Sequence, residues 1–158
     1  MTFDSWQVPL VVVAETESAL RSGAHEVFCI WTGERTQAGP QCAIDSLIVP
    51  EQTPESSEFG VAVRIEGREL SRIQFENFRS GRRSFVQLHT HPTSNVRMSG
   101  LDRQREVVKH VGALSIIVPS YGNWGLDGLR GVAIYERAPD DWRLWTHDEA
   151  VRRLIFRP

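Results

Sequence analysis

The chain has 158 residues, of which 41% are hydrophobic and 24% are charged, and its formal net charge is −2. This length suits a compact domain with a substantial core, and we expect a single domain over residues 1–158. The small net charge argues against a general affinity for nucleic acid or for an anionic membrane surface.

The amino-terminal region does not have the pattern of a secretion signal. Asp4 interrupts it, and the apolar run at residues 8–14 is too short to cross a bilayer. We therefore expect a cytoplasmic protein. In that reducing compartment Cys29 and Cys42 are not expected to form a disulfide, and Cys29 is predicted to be a small buried residue.

The spacing of apolar residues predicts strands and helices along the whole chain. In the first part we predict strands at residues 10–13, 26–31, 41–49 and 59–65, a helix at 16–23 and an exposed polar loop at 51–58. In the second part we predict strands at 84–91, 113–118, 131–136 and 142–146, and helices at 67–79, at 99–111 and after a capping box at 146–149. Leu70, Ile73 and Phe78 are predicted to form the core side of helix 67–79. This order of elements predicts an α/β domain.

Two histidines occupy alternate positions at the end of the predicted strand 84–91. Side chains two residues apart on a strand share a face, so His89 and His91 are expected to point the same way. Asp102 lies at the start of the next predicted helix, from which its carboxylate can reach the end of the strand. Two imidazoles and one carboxylate leave tetrahedral zinc with one open position, which is typical of a catalytic site.

Each half of this pattern has a simpler interpretation when it is taken alone. A His-x-His pair on a strand is often structural or solvated, and Ser99 with Asp102 forms a helix capping box that needs no metal. Both halves at this spacing together indicate a zinc site. The two roles are compatible, because Ser99 can cap the helix and still offer its hydroxyl to a substrate.

The motif resembles that of the JAMM family, also called MPN+ or JAB domains, which are zinc isopeptidases that remove ubiquitin and ubiquitin-like proteins from conjugates. The family pattern is His-Ser/Thr-His, seven residues, Ser, two residues and Asp. His89, Thr90, His91, Ser99 and Asp102 match it without a gap.

The family pattern also contains an upstream Glu that opens a strand of the form Glu-x-x-Gly-x-x-x-Gly. Residues 26–33 match this form, except that Cys29 stands in place of the first Gly. The resemblance therefore points to Glu26 as the catalytic glutamate. Glu34 is the alternative, although it lies beyond the Gly that ends the strand.

The resemblance implies a fold and a mechanism. The fold is a curved mixed β-sheet flanked by helices, the cytidine-deaminase-like architecture of JAMM/MPN domains. The cofactor is Zn²⁺, held by His89, His91 and Asp102. In the implied mechanism Glu26 takes a proton from water and later returns it to the leaving amine, while Ser99 donates a hydrogen bond to the developing oxyanion.

The expected substrate is a ubiquitin-like protein or its conjugate, cleaved after the carboxyl terminus of the ubiquitin-like protein. The size of the chain resembles the stand-alone JAB enzymes of bacterial ubiquitin-like conjugation and antiviral-defence operons, so E1-like or E2-like proteins are further expected partners. A JAMM hydrolase of sulfur-carrier or small peptide adducts, in cofactor or cysteine synthesis, is the alternative. A non-catalytic MPN scaffold is a third class, and the presence of Glu26 with the full ligand set argues against it.

The glycine-rich segment 119–131 is interpreted as a flexible connection between two strands. The resemblance makes Trp124 and Leu126 of this segment, together with the loop 51–58, candidate contacts to the protein partner. The segment has no Cys or His, so a second zinc is not expected there.

Other polar residues have ordinary explanations. His25, His110 and His147 are expected to be surface or packing residues. The basic cluster at residues 79–83 is interpreted as a solvated helix end, with contact to an acidic partner as the alternative.

Overall fold

The computed structural model describes residues 2–58 and 60–158. In this part of the chain the strands are β1 (Ser5–Pro9), β2 (Phe28–Glu34), β3 (Gln41–Ala43), β4 (Ser46–Ile48), β5 (Thr53–Ser57), β6 (Gly60–Arg64), β7 (Arg82–Thr90), β8 (Leu114–Val118), β9 (Ala133–Arg137), β10 (Trp142–Leu144) and β11 (Leu154–Arg157). The α-helices are α1 (Leu10–Leu20), α2 (Gly67–Arg79), α3 (Gly100–Gln104) and α4 (His147–Arg153). None of these described helices combines the length and the apolar character needed to cross a membrane.

The main sheet of the described chain has six strands in the order β10-β9-β8-β7-β2-β4. Strands β7 and β8 are parallel and the other neighbours are antiparallel, so the sheet is mixed. A smaller parallel sheet has the order β11-β1-β3, and β5 and β6 form a separate hairpin. The predicted α/β fold with a mixed sheet flanked by helices is confirmed.

Helices α1 and α2 cover opposite faces of the main sheet. Cys29 and Trp31 of β2 belong to the apolar cluster that includes α1, whereas Phe28 and Ile30 belong to the cluster that includes Ile73 of α2. Because both of its faces are covered, β2 is a nearly continuous apolar run rather than an alternating one.

Helix α1 begins in the segment where we predicted a strand, at residues 10–13. The predicted helix 16–23 is the later part of this longer helix, which ends sooner than expected. Thr16 ties the helix to the sheet, because its hydroxyl donates to the carbonyl of Val12 at 2.7 Å and accepts from Nε1 of Trp31 at 2.8 Å. Packing of one helical face against the sheet outweighs the strand preference of the valines.

The predicted strand 41–49 is divided between two sheets. Its first part, β3, pairs with β1, and its second part, β4, pairs with β2. Between them the N–H of Ile44 donates to the carbonyl of Gln7 at 2.9 Å, and the N–H of Asp45 donates to that of Thr32 at 3.0 Å. The chain therefore passes from the small sheet to the main sheet without a turn signal in its sequence.

The β5–β6 hairpin occupies the segment predicted as a polar loop, 51–58, and the predicted strand 59–65. The first segment is largely exposed, as expected, but it contains a paired strand. The second prediction is confirmed over β6, while Phe59 lies outside the described residues. Gln52 fastens the base of the hairpin to β2, because its amide accepts from the N–H of Phe28 at 2.7 Å and donates to the carbonyl of Phe28 at 2.8 Å.

Helix α3 is much shorter than the predicted helix 99–111. The backbone N–H groups of Val107 and Val108 each donate to Oε1 of Gln87 at 2.9 Å. Gln87 lies on β7 and is buried. In a longer helix these two N–H groups would donate to helix carbonyls; here they donate to Gln87 instead. The helix therefore ends after its first turn, although the sequence pattern continues.

The other elements are close to their predictions. Helix α2 has the predicted bounds, and the capping box at Thr146 opens α4. Ile73 is buried and Leu70 half-buried, but Phe78 is 73% exposed, so its assignment to the core was wrong. The remaining predicted strands are present with shifted ends, and β11 was not predicted.

Candidate metal centre

The two histidines of the motif lie side by side at the end of β7. Their Nε2 atoms are 3.1 Å apart, and the ring of His89 stacks on that of Phe28 of the neighbouring strand with an interplanar angle of 11°. His89 is 6% exposed, and His91 follows the last residue of the strand. The alternation of side chains along β7 thus brings both imidazoles to one face.

Helix α3 presents Asp102 to both histidines. Ser99 is its N-cap, with the N–H of Asp102 donating to Oγ of Ser99 at 3.0 Å and the N–H of Ser99 donating to Oδ2 of Asp102 at 2.8 Å. Oδ1 of Asp102 lies 3.2 Å from Nε2 of His89, and Oδ2 lies 3.3 Å from Nε2 of His91. The capping box fixes the orientation of the carboxylate that faces the imidazoles.

The donor atoms of His89, His91 and Asp102 lie within 4.8 Å of one another and could hold a metal ion. Nδ1 of His91 is 2.7 Å from the carbonyl oxygen of Asn95, so Nδ1 donates a proton there and Nε2 is the nitrogen that can bind a metal once its own proton is lost. Two imidazole nitrogens that face each other at hydrogen-bond distance suit a shared cation. The donor set of two nitrogens and a carboxylate fits zinc, with room for one further ligand.

The charges of the cluster favour an ionised carboxylate. Burial opposes the ionisation of Asp102, but hydrogen bonds to His89 and His91 outweigh it and hold the pKa of Asp102 well below its usual range. Burial also lowers the pKa of His91, yet the hydrogen bonds of His91 to Asp102 and Asn95 more than compensate, so that this pKa is raised. A cation bound here would take the place of the proton on Nε2 of His91.

Glu26 borders the same cavity as the metal cluster, immediately before β2. The next residue, Val27, is bonded twice to Thr90: its N–H donates to Oγ1 at 3.0 Å, and its carbonyl accepts from the Thr90 N–H at 3.1 Å. Since Thr90 lies between the two histidines, these bonds hold Glu26 beside the cluster. Burial raises the pKa of Glu26 to about 7, while the charge of His91 lowers it and that of Asp102 raises it.

The alternative glutamate, Glu34, lies at the other end of β2. Phe28 pairs with His89, whereas Glu34 pairs with Arg82 at the far end of β7. At about 3.4 Å per residue these positions are roughly 20 Å apart. Glu34 is exposed and does not border the cavity, so the geometry favours Glu26.

The cavity beside the cluster has a volume of about 1410 Å³ and also contains Ser99 in its wall. Since Oγ of Ser99 accepts from the N–H of Asp102, its hydroxyl proton remains available for a ligand. Strand β6 forms the wall opposite the motif. The structure thus brings the five residues singled out by the sequence around one cavity.

The other candidate residues lie away from the cluster. Nδ1 of His25 is 3.2 Å from the carbonyl of Glu26, Nε2 of His110 is 3.1 Å from that of Ser84, and His147 is exposed at the start of α4. His110 does not lie on a helix, contrary to our prediction.

The segment 119–131 forms two short 3-10 turns, Ser120–Gly122 and Asp127–Leu129. Trp124 is half-exposed, so it remains a candidate contact to a partner. Leu126 is only 1% exposed and packs in the core, so its assignment as a contact was wrong.

Two residues around the site were not found from the sequence. Gln52 clamps the hairpin to Phe28, and Gln87 ends α3 through the bonds described above. Gln87 lies two residues before His89 on β7, so the two side chains share a face. The alternation of side chains along the strand is the sequence signal that could have identified Gln87. Nothing in the sequence around Gln52 points to Phe28.

No protein-family model and no curated protein matches this chain. Among the solved structures that match it, the following two are aligned with it over nearly its whole length. The solution structure of protein DSY2949 from Desulfitobacterium hafniense has a TM-score of 0.64 and 13% identity, covering 96% of this chain and 92% of that chain. The crystal structure of AF2198, a JAB1/MPN domain protein from Archaeoglobus fulgidus, has a TM-score of 0.50 and 16% identity, covering 96% and 98%. At these identities the likeness establishes the fold alone, an α/β fold of the JAB1/MPN kind.

Proposed function

We propose that this protein is a zinc-dependent isopeptidase or peptidase that cleaves after the carboxyl terminus of a ubiquitin-like protein. The observation that carries the proposal is the cluster of His89, His91 and Asp102 beside a cavity that also contains Glu26 and Ser99. The JAB1/MPN-like fold supports it, because the motif that supplies these residues resembles that of JAMM domains.

Each residue has a role that its surroundings favour. His89, His91 and Asp102 would hold zinc, which would supply Lewis-acid polarisation of a carbonyl group and lower the pKa of water towards about 7. Glu26, with its pKa near 7, takes a proton from the attacking water and returns it to the leaving amine. The Ser99 hydroxyl donates a hydrogen bond to the oxygen that becomes negatively charged in the transition state.

The shape of the cavity supports an extended substrate. Consecutive residues of β6 border it, so this strand can offer backbone hydrogen bonds to a carboxyl-terminal tail that lies alongside. Leu101 and Val61 are partly exposed apolar side chains that also border the cavity. In the proposed pathway the protein acts in the cytoplasm with E1-like or E2-like partners, and Trp124 contacts the folded part of the substrate.

The variant Glu26→Ala tests the proposed chemistry. It should retain zinc and the fold but lose turnover by roughly 100-fold or more, the usual contribution of a general base. Elemental analysis measures zinc, and mass spectrometry follows cleavage of a ubiquitin-like protein fused to a reporter. Glu34→Ala is the matched control and should cleave normally.

Two results would contradict the proposal. Full activity of Glu26→Ala would exclude Glu26 as the base. Efficient hydrolysis of small sulfur-carrier or cysteine adducts, with no cleavage of any fusion or conjugate, would favour the alternative hydrolase instead.

A further inference from the structure

A second groove, of about 540 Å³, lies between α2 and the irregular segment 106–110. One face of α2 forms its first wall, with Leu70, Ile73 and Gln74 at helical spacing and Asn77 and Phe78 one turn further on. The segment 106–110 forms the second wall, and the start of β7 lies at its base. We refer to this surface as the basic groove.

The basic groove carries three cations that form no ion pair in the described part of the chain. Within residues 2–58 and 60–158, Arg35, Arg83 and Lys109 take part in none of the ion pairs. Arg82 is different, because it pairs with Asp45. The groove therefore presents three cations whose charge is not balanced locally.

The single carboxylate bordering the basic groove is directed elsewhere. Oε2 of Glu106 accepts from Nε1 of Trp142 at 2.8 Å, and Oε1 lies 3.9 Å from Arg137. Burial lowers the pKa of His110, and the positive charge of Arg83 lowers it further. The three cations without an ion pair and the effect of Arg83 on His110 together favour an acidic ligand at this groove, in a chain whose net charge is −2.

An exposed aromatic ring adjoins these cations. Phe78 is 73% exposed, and the guanidinium of Arg35 lies 5.3 Å from the centre of its ring. Arg35 also donates to the carbonyls of Asn77 and Phe78, at 3.3 and 3.1 Å, so its position at the end of α2 is fixed. A ligand that suits this surface combines negative charges with an apolar side chain.

The basic groove adjoins the cavity beside the metal cluster. Leu70, Glu106 and Val107 border both. Along β7 the base of the groove at Ser84 lies five residues before His89, a separation of about 17 Å. A protein that occupies the cavity can therefore also contact the groove.

We propose that the basic groove binds an acidic polypeptide segment of the same protein that occupies the metal-site cavity. The segment pairs carboxylates with Arg35, Arg83 and Lys109 and packs an aromatic or aliphatic side chain on Phe78. The identification of that protein as the substrate rests on the proposed hydrolase function. The apolar wall and the negative net charge of the chain favour a polypeptide over nucleic acid.

Binding is measured by fluorescence anisotropy with a fluorescein-labelled peptide of Asp and Glu residues around one Phe. The double variant Arg83→Glu/Lys109→Glu should weaken binding by about tenfold or more, and added salt should weaken binding to the unaltered protein. The matched control, Arg130→Glu/Arg157→Glu, makes the same change in net charge at exposed sites away from the groove. It should bind within about twofold of the unaltered protein, since such surface charges contribute little.

A second peptide, with Asn and Gln in place of Asp and Glu, should bind much more weakly. The proposal is overturned if the groove variant binds as well as its control, if the neutral peptide binds as tightly as the acidic one, or if single-stranded DNA binds as tightly as the acidic peptide. Because the assay needs no turnover, its result is separate from the hydrolase proposal. If the acidic peptide binds through the basic groove but no fusion is cleaved, the docking proposal is supported and the hydrolase assignment is wrong.

Discussion

Replacing Glu26 with Gln should change how the stability of the metal-free protein depends on pH. Burial raises the pKa of Glu26 from 4.5 to about 7, so the folded state holds this proton more tightly than the unfolded chain does. At a pH below 4.5 both states are protonated, and the carboxyl group adds no penalty. As the pH rises from 4.5 to about 7 the unfolded chain ionises first, so the free energy of unfolding falls.

The size of this effect follows from the shift in pKa. One pKa unit corresponds to about 1.4 kcal/mol, so ionised Glu26 should lower the free energy of unfolding by about 3 kcal/mol above neutral pH. Gln has nearly the same shape but does not ionise. The difference between Glu26→Gln and the unaltered protein should therefore grow by about 3 kcal/mol, in favour of the variant, between acidic and mildly alkaline pH.

Urea unfolding of both proteins, with a chelator present and at several pH values, measures this difference. Glu34→Gln is the matched control, because Glu34 is exposed at the far end of β2. The growth of about 3 kcal/mol should be specific to Glu26→Gln. A Glu26→Gln difference that is also independent of pH would refute the argument that burial raises the pKa of this carboxyl group.

Two further predictions concern the metal cluster and its support. The protein should bind about one zinc per chain, and His89→Ala/His91→Ala should lose it by elemental analysis while His147→Ala keeps it; equal zinc in both variants would exclude the two ligands. Gln87→Leu should lower the free energy of unfolding by about 2 kcal/mol in urea, because two backbone N–H groups after α3 lose their acceptor in the interior. An unchanged urea midpoint would show that water replaces that acceptor.

The sequence by itself was enough to predict the five candidate site residues that border the metal-site cavity in the structure. Alternation along a strand predicted that His89 and His91 share a face, and the capping box predicted where Asp102 begins a helix. These are local signals, because each depends on residues close together in the chain. Glu26 has no such local relation to the motif, and its selection depended on the resemblance to a family pattern.

Tertiary structure decided the elements whose partners are distant in sequence. Residues 10–13 have the composition of a strand, yet packing on β2 makes them helical. The segment 99–111 has the pattern of a helix, yet Gln87 accepts hydrogen bonds from the N–H groups of Val107 and Val108, and the helix ends early. In the first case packing of a helical face on a distant strand decides the outcome, and in the second a buried glutamine of β7 does; the local pattern carries no information about either.

The electrostatics of the site also depend on the assembled fold. The sequence names Glu26 as a carboxyl group, but burial against β7 raises its pKa to about 7. Likewise, Arg35 and Lys109 are far apart in the chain, and only the tertiary fold brings them to the same groove. Distance in the fold sets the strength of a charge interaction, so the sequence supplies the charges and the tertiary structure decides how they act.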